Sequence, residues 1–133
     1  MKQAVSSKSV ISAKKLNLIF KTNDGAVHAL KDIDLEVEEG DFVSFIGPSG
    51  CGKTTFLRVV AELEKPSDGE ITVNGKTPKI ARKDRDYGYV FQAPALLQWR
   101  SISQNISLPL EIMGYSKTEQ KERVEKNICL LYT

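Results

Sequence analysis

Positions 47 to 54 hold Gly47, Pro48, Ser49, Gly50, Cys51, Gly52, Lys53 and Thr54. This is a GxxxxGK[ST] spacing in which each fixed residue has a mechanical reason. The glycines let the backbone curl until successive N–H groups point at one anion. Lys53 brings an ammonium to the β- and γ-phosphates of a nucleotide, Thr54 offers a hydroxyl to Mg²⁺, and Thr55 bonds the α-phosphate. The chemistry expected is the cradling of a triphosphate, and ATP is the ligand expected. Cys51 fills a variable position with no histidine or second cysteine near it in sequence, so no redox or nucleophilic role is assigned to it.

Such a loop works only between a strand and a helix, and the flanking sequence supplies both. Before it, residues 42–46 run Phe-Val-Ser-Phe-Ile, an almost continuous apolar stretch that predicts a strand covered on both faces. After it, Phe56, Val59, Val60 and Leu63 recur at helical spacing, so the loop opens onto a helix N-terminus whose free N–H groups and dipole favour an anion. Upstream, Leu16, Leu18 and Phe20 alternate, Asn23, Asp24 and Gly25 supply a turn, and Ile33, Leu35 and Val37 alternate with acidic residues as in a half-buried antiparallel strand. Downstream, Ile71 and Val73 lead into an Asn74-Gly75 turn. Residues 79–86 are polar and basic and are expected to form a solvated loop, and residues 88–91 a short strand ending at Gln92. Ser116 and Glu119 form a capping box that opens a helix striped by Val124, Ile128 and Leu131.

The composition narrows the class further. At 133 residues, 41% hydrophobic and 27% charged, the chain suits one modest globular domain. Its net charge of +2, from 19 basic and 17 acidic residues, carries no sign of a nucleic-acid partner. The thiols of Cys51 and Cys129 are too far apart for a metal or redox pair, and such sparse usage fits a reducing compartment. The first 15 residues lack the apolar core of a signal peptide, and no apolar run reaches the ~20 residues a bilayer needs. Lone His28 is expected at a surface or strand edge.

With these residues in view, the chain resembles the ATP-binding subunits of ABC transporters. The pattern runs in order through Ala29 to Leu35, then Glu39, Gly40, Asp41 and Phe42, then the glycine loop, a Pro66 to Gly75 strand-turn, and Gln92 closing Tyr89, Val90 and Phe91. The resemblance implies an α/β fold: a P-loop NTPase core with an antiparallel β subdomain, truncated at the start of the α-helical subdomain. It divides the chain into a polar extension, residues 1–14, and the N-terminal portion of an ATP-binding domain, residues 15–133. Within the latter, 15–46 and 70–92 are β-rich, 47–64 hold the loop and its helix, and 93–133 hold the glutamine loop and the start of the helical subdomain. By the same resemblance Phe20 stacks on adenine, Gln92 positions Mg²⁺ and water, and Thr54 and Gln92 are the metal-facing pair.

The stretch Leu96, Leu97, Gln98, Trp99, Arg100 is similar to the nitrate, sulfonate and taurine importer group. It implies that residues 92–100, Trp99 and Arg100 among them, receive a transmembrane permease subunit, with a Trp packed into the subdomain junction as the alternative. A second ATP-binding subunit would complete the full-length dimer, and the location would be cytoplasmic, on the inner face of the membrane through the permease.

The sequence also departs from the family. It contains no Leu-Ser-Gly-Gly signature, no apolar strand ending in Asp-Glu, and no histidine after the loop. Hydrolysis by this chain alone is therefore expected to be slow or nil, and a non-catalytic ATP-binding fragment of an interrupted gene is the alternative assignment. A P-loop kinase or GTPase is disfavoured, because no guanine-reading Asn/Thr-Lys-x-Asp is present. Glu62 stands where the family commonly ends the first helix with glycine, a position less comfortable for a side chain. Without further strands beside residues 42–46, an exposed apolar edge and poor solubility are expected.

Overall fold

The computed structural model describes residues 8–23 and 25–130, in two compact units that divide between Tyr89 and Val90. The first unit is built on an antiparallel hairpin of β1 (Ser9–Thr22) and β2 (Gly25–Glu38). Thr22 faces Gly25 across the turn, and its hydroxyl donates to the Gly25 carbonyl at 2.8 Å. The turn expected at Asn23 to Gly25 thus closes the hairpin, although Asp24 itself lies outside the described residues. β1 starts at Ser9, inside the stretch expected to be a polar extension, and residues 1–7 of that extension are outside the described residues. β3 (Asp68–Val73) pairs with the other side of β1, giving the antiparallel order β2-β1-β3. His28 is exposed on the edge strand β2, as expected.

A bulge sets the phase of β1. Ala13, Leu16 and Leu18 are all buried although 13 and 16 are not an even number of residues apart, so one extra residue must be accommodated between them. Lys15 does this at φ 46, and Asp32 on β2 is left-handed as well, at φ 45. Asn17 locks the pair: its Oδ1 accepts the Asp32 N–H at 3.0 Å and its Nδ2 donates to the Lys15 carbonyl at 2.8 Å. Asp34 Oδ1 accepts the Lys15 N–H at 2.8 Å. The buried side of the sheet then packs on α1 (Lys53–Val60) and α2 (Pro78–Asp84), with Leu16, Leu18, Leu30, Phe56, Val59, Ile71, Val73 and Ala81 forming the core. At the end of β3, Asn74 (φ 52) and Gly75 (φ 72) make a type I′ turn, with Val73 and Lys76 exchanging both backbone bonds.

Several expectations need correction. Residues 42–46 are not a strand: Phe42 and Ile46 are each 96% exposed, and the segment makes no ladder. A strand is stabilised by its neighbours rather than by its own propensity, and none among the described residues runs beside it. Residues 88–91 are irregular as well, and Val90 is 95% exposed. The apolar side chains of Phe42, Ile46 and Val90 are thus exposed, but on irregular segments rather than along a strand edge. Residues 79–86 are not simply a loop, because α2 occupies most of them. Its signals are Thr77 at the N-cap and Pro78 at the first helical position, and Pro78 and Ala81 are its buried residues. Leu63 lies past the end of α1 and is exposed.

The second unit is a helix pair, α3 (Ile102–Ile112) and α4 (Lys117–Leu130). α3 was not anticipated, although Ser101 and Gln104 form a reciprocal capping box at its start. The box expected at α4 is present. Glu119 accepts the Ser116 N–H at 3.0 Å, Ser116 Oγ accepts the Glu119 N–H at 3.3 Å, and the hydroxyl bond holds the Glu119 carboxyl below its ordinary range. Val124 is buried and Ile128 half-buried, while Leu131 falls outside the described residues. No helix among the described residues is long and apolar enough to cross a membrane.

Candidate phosphate-binding site

The glycine loop is anchored at both ends. On the far side, Phe56 and Val59 sink α1 into the core, and the Phe56 ring meets Phe45 at a centroid distance of 5.4 Å. On the near side, Gly52 enters α1 at φ 97, and a Cβ there would lie 2.6 Å from the Ala29 carbonyl and 3.1 Å from the Leu30 side chain. Only glycine satisfies both the left-handed backbone and this approach to β2. Gly50, at φ 81, needs glycine for its backbone alone, since open space surrounds it.

Between these anchors the loop presents donors. The N–H groups of Gly50, Gly52, Lys53, Thr54 and Thr55 have no acceptor among the described residues, and the first helical bond begins with Phe56 N–H to Gly52 O at 2.8 Å. No carboxylate occupies the first turn of α1. Lys53 folds back over the loop, its Nζ donating to the carbonyls of Gly47 at 2.8 Å and Pro48 at 2.7 Å, with Cys51 Sγ at 3.4 Å. The ammonium therefore sits over the same turn as the free N–H groups. A ring of N–H donors, one ammonium and a helix N-terminus can do one thing chemically, which is to bind a multiply charged anion. Thr54 is exposed with its hydroxyl available, and Thr55 is half-buried.

Residues 47–55 form one contiguous loop and helix start, and the other expected site residues lie on β1 and in the second unit. Phe20, 38% exposed, lies on β1 opposite Val27, with its ring open to solvent rather than in the core. Gln92 is exposed at a bend in the second unit. Trp99 is 80% exposed and not packed. Arg100 is turned inward, its Nη1 bonded to Glu111 Oε2 at 2.9 Å. That bond first, and the Ser107 hydroxyl second, hold the Glu111 carboxyl below its ordinary range. Asn105 and Glu111, whose side chains bond to this stretch, both lie on α3.

A glycine loop seated between an antiparallel β sheet and a helix N-terminus places the chain among P-loop proteins of α/β fold. The ABC transporter family matches residues 30–131, and the chain belongs to that family. It is 40% identical over 121 residues to an uncharacterized ABC transporter ATP-binding protein of Methanocaldococcus jannaschii, covering 91% of this chain and 45% of the relative. It is 37% identical over 116 residues to the aliphatic sulfonates import ATP-binding protein SsuB of Bacillus thuringiensis subsp. konkukian, covering 86% of this chain and 45% of the relative. Among solved structures, the dimeric post-hydrolysis state of the ATP-binding cassette MJ0796 bound to ADP and Pi superposes with a TM-score of 0.77 at 33% identity, over 87% of this chain and 54% of that one. The chain thus spans less than half the length of these curated relatives.

Proposed function

We propose that the chain is the N-terminal part of the ATP-binding, energy-coupling subunit of an ABC-type importer, and that residues 47–55 bind the phosphates of MgATP. The observation that carries this is the set of unbonded N–H groups of Gly50, Gly52, Lys53, Thr54 and Thr55, with the Lys53 ammonium folded back onto the same loop. Thr54 Oγ1 and Gln92 Oε1 are hard oxygen donors of the kind Mg²⁺ accepts, and both are exposed; as neutral ligands they would leave most of the coordination to phosphate oxygens and water. Phe20 offers an open π-face to adenine. Exposed Leu96 and Trp99 form the surface that a membrane permease subunit covers, which would place the protein on the inner face of the membrane, paired with a second ATP-binding subunit.

Equilibrium binding of a fluorescent ATP analogue with Mg²⁺ tests the proposal. Wild type should bind, Lys53→Ala should weaken binding at least tenfold, and Phe20→Ala should weaken it less. Equal binding by wild type and Lys53→Ala would refute it. A turnover assay run alongside is expected to show little hydrolysis by the 133-residue chain. Measurable turnover would remove the non-catalytic fragment assignment.

A further inference from the structure

The loop that carries Trp99 has little backbone bonding of its own. Arg100 N–H donates to the Leu97 carbonyl at 3.0 Å, and side chains of α3, Asn105 foremost, supply its other bonds. Asn105 Oδ1 accepts the Leu97 N–H at 2.7 Å, and its Nδ2 is placed toward the carbonyls of Leu97 at 3.1 Å, Arg100 at 3.1 Å and Ser101 at 3.0 Å. One amide thus satisfies both backbone groups of Leu97, as a neighbouring strand would. Arg100 is drawn onto the same helix by Glu111, which also accepts the Ser107 hydroxyl at 3.0 Å. With Leu97 and Arg100 pulled in, Leu96 (66%), Trp99 (80%) and Ile102 (74%) are left facing solvent.

We propose that Asn105 is the positioning residue of the partner-docking loop. It clamps Leu97 and Arg100 so that Leu96 and Trp99 are presented as an uncharged apolar contact, while the charge of Arg100 is met within the chain by Glu111. The partner surface that fits is then the apolar end of a helix or loop of the membrane subunit, with no carboxylate needed to receive Arg100. This rests on the docking assignment made under Proposed function. A rigidly presented aromatic reduces the ordering cost of association, which gives the clamp its use.

Trp99 is the sole tryptophan, so its fluorescence reports the loop directly in the full chain. Asn105→Ala should enlarge the nanosecond component of the Trp99 anisotropy decay about twofold, because loop motion on that timescale is released, while the far-UV circular dichroism of the helices stays as in wild type. Asn105→Asp keeps the Leu97 N–H acceptor and should fall between the two. Should Asn105→Ala fail to fold, amide exchange in wild type decides: the Leu97 N–H should be protected although it lies outside any helix. A wild-type anisotropy decay in Asn105→Ala, or unprotected Leu97, overturns the clamp and leaves the docking assignment standing. A photo-cross-linker at position 99 that captures no membrane subunit, with the Asn105 response intact, would instead remove the docking assignment.

Discussion

The helix behind the phosphate loop ends on a strained residue, and removing the strain should measurably stabilise it. α1 leaves through Ala61 into Glu62, which adopts φ 54. Glu62 N–H bonds to Val59 O at 3.0 Å and Leu63 N–H to Arg58 O at 2.8 Å, the paired bonds of a Schellman closure that favours glycine at its left-handed position. An L side chain there costs about 1–2 kcal/mol. Glycine returns about 0.5–1 kcal/mol of this through its greater freedom in the unfolded chain. Glu62→Gly should therefore stabilise the helix end by about 0.5–1 kcal/mol, a 2–5-fold slowing of local opening. Native-state amide exchange of residues 56–60 reads this helix by itself, without requiring a cooperative global melt. Glu62→Ala keeps the Cβ and should show no gain, with Glu62→Asn between them. If alanine slows exchange as much as glycine does, loss of the carboxylate rather than relief of the backbone is responsible, and the reasoning is wrong.

Other expectations follow from the same geometry. Gly52→Ala should abolish binding of the ATP analogue and loosen α1 by about 2 kcal/mol or more, since it meets both a backbone penalty and the Ala29 carbonyl. Gly50→Ala, with open space around it, should cost only the backbone share, so equal losses in the two variants would contradict the close approach. Because the folded Glu111 carboxyl is held below its ordinary value of 4.5, its stabilising contribution is present above that pH and lost as pH falls beneath it. Trp99 emission should shift with acid in wild type over that window, and the shift should shrink in Glu111→Gln. Asn17→Ala should cost about 1–2 kcal/mol by stripping the bulge of its bonds to Lys15 and Asp32, seen as faster exchange of the Asp32 amide; unchanged exchange would mean the bulge holds without it.

What the sequence revealed of this molecule follows the range of the interactions involved. Residues 47–55 were legible because their geometry is written locally: glycine for positive φ, a helix immediately after, lysine and threonine in the first turn. The hairpin of β1 and β2 was legible through alternation and its turn, but the bulge at Lys15 was not, because it depends on Asn17 reaching Asp32 across the sheet. Glu62 shows that a departure from pattern can be as informative as a match, since the left-handed backbone is kept where the glycine is absent. Residues 42–46 mark the opposite limit. Their apolar run predicts a buried strand, yet burial and pairing come from other segments, and the side chains of Phe42 and Ile46 stand in solvent.

The same distinction separates the two proposed surfaces. The phosphate cradle needs only its own contiguous residues and the core beneath α1, so it should tolerate change elsewhere in the chain. The Trp99 surface is held by Asn105, several positions away on a helix with no buried hydrophobic residue of its own, and by an ion pair whose strength depends on pH. Perturbations that leave the proposed nucleotide binding intact should therefore reach the proposed docking surface first, and Asn105 is the shortest route to separating the two.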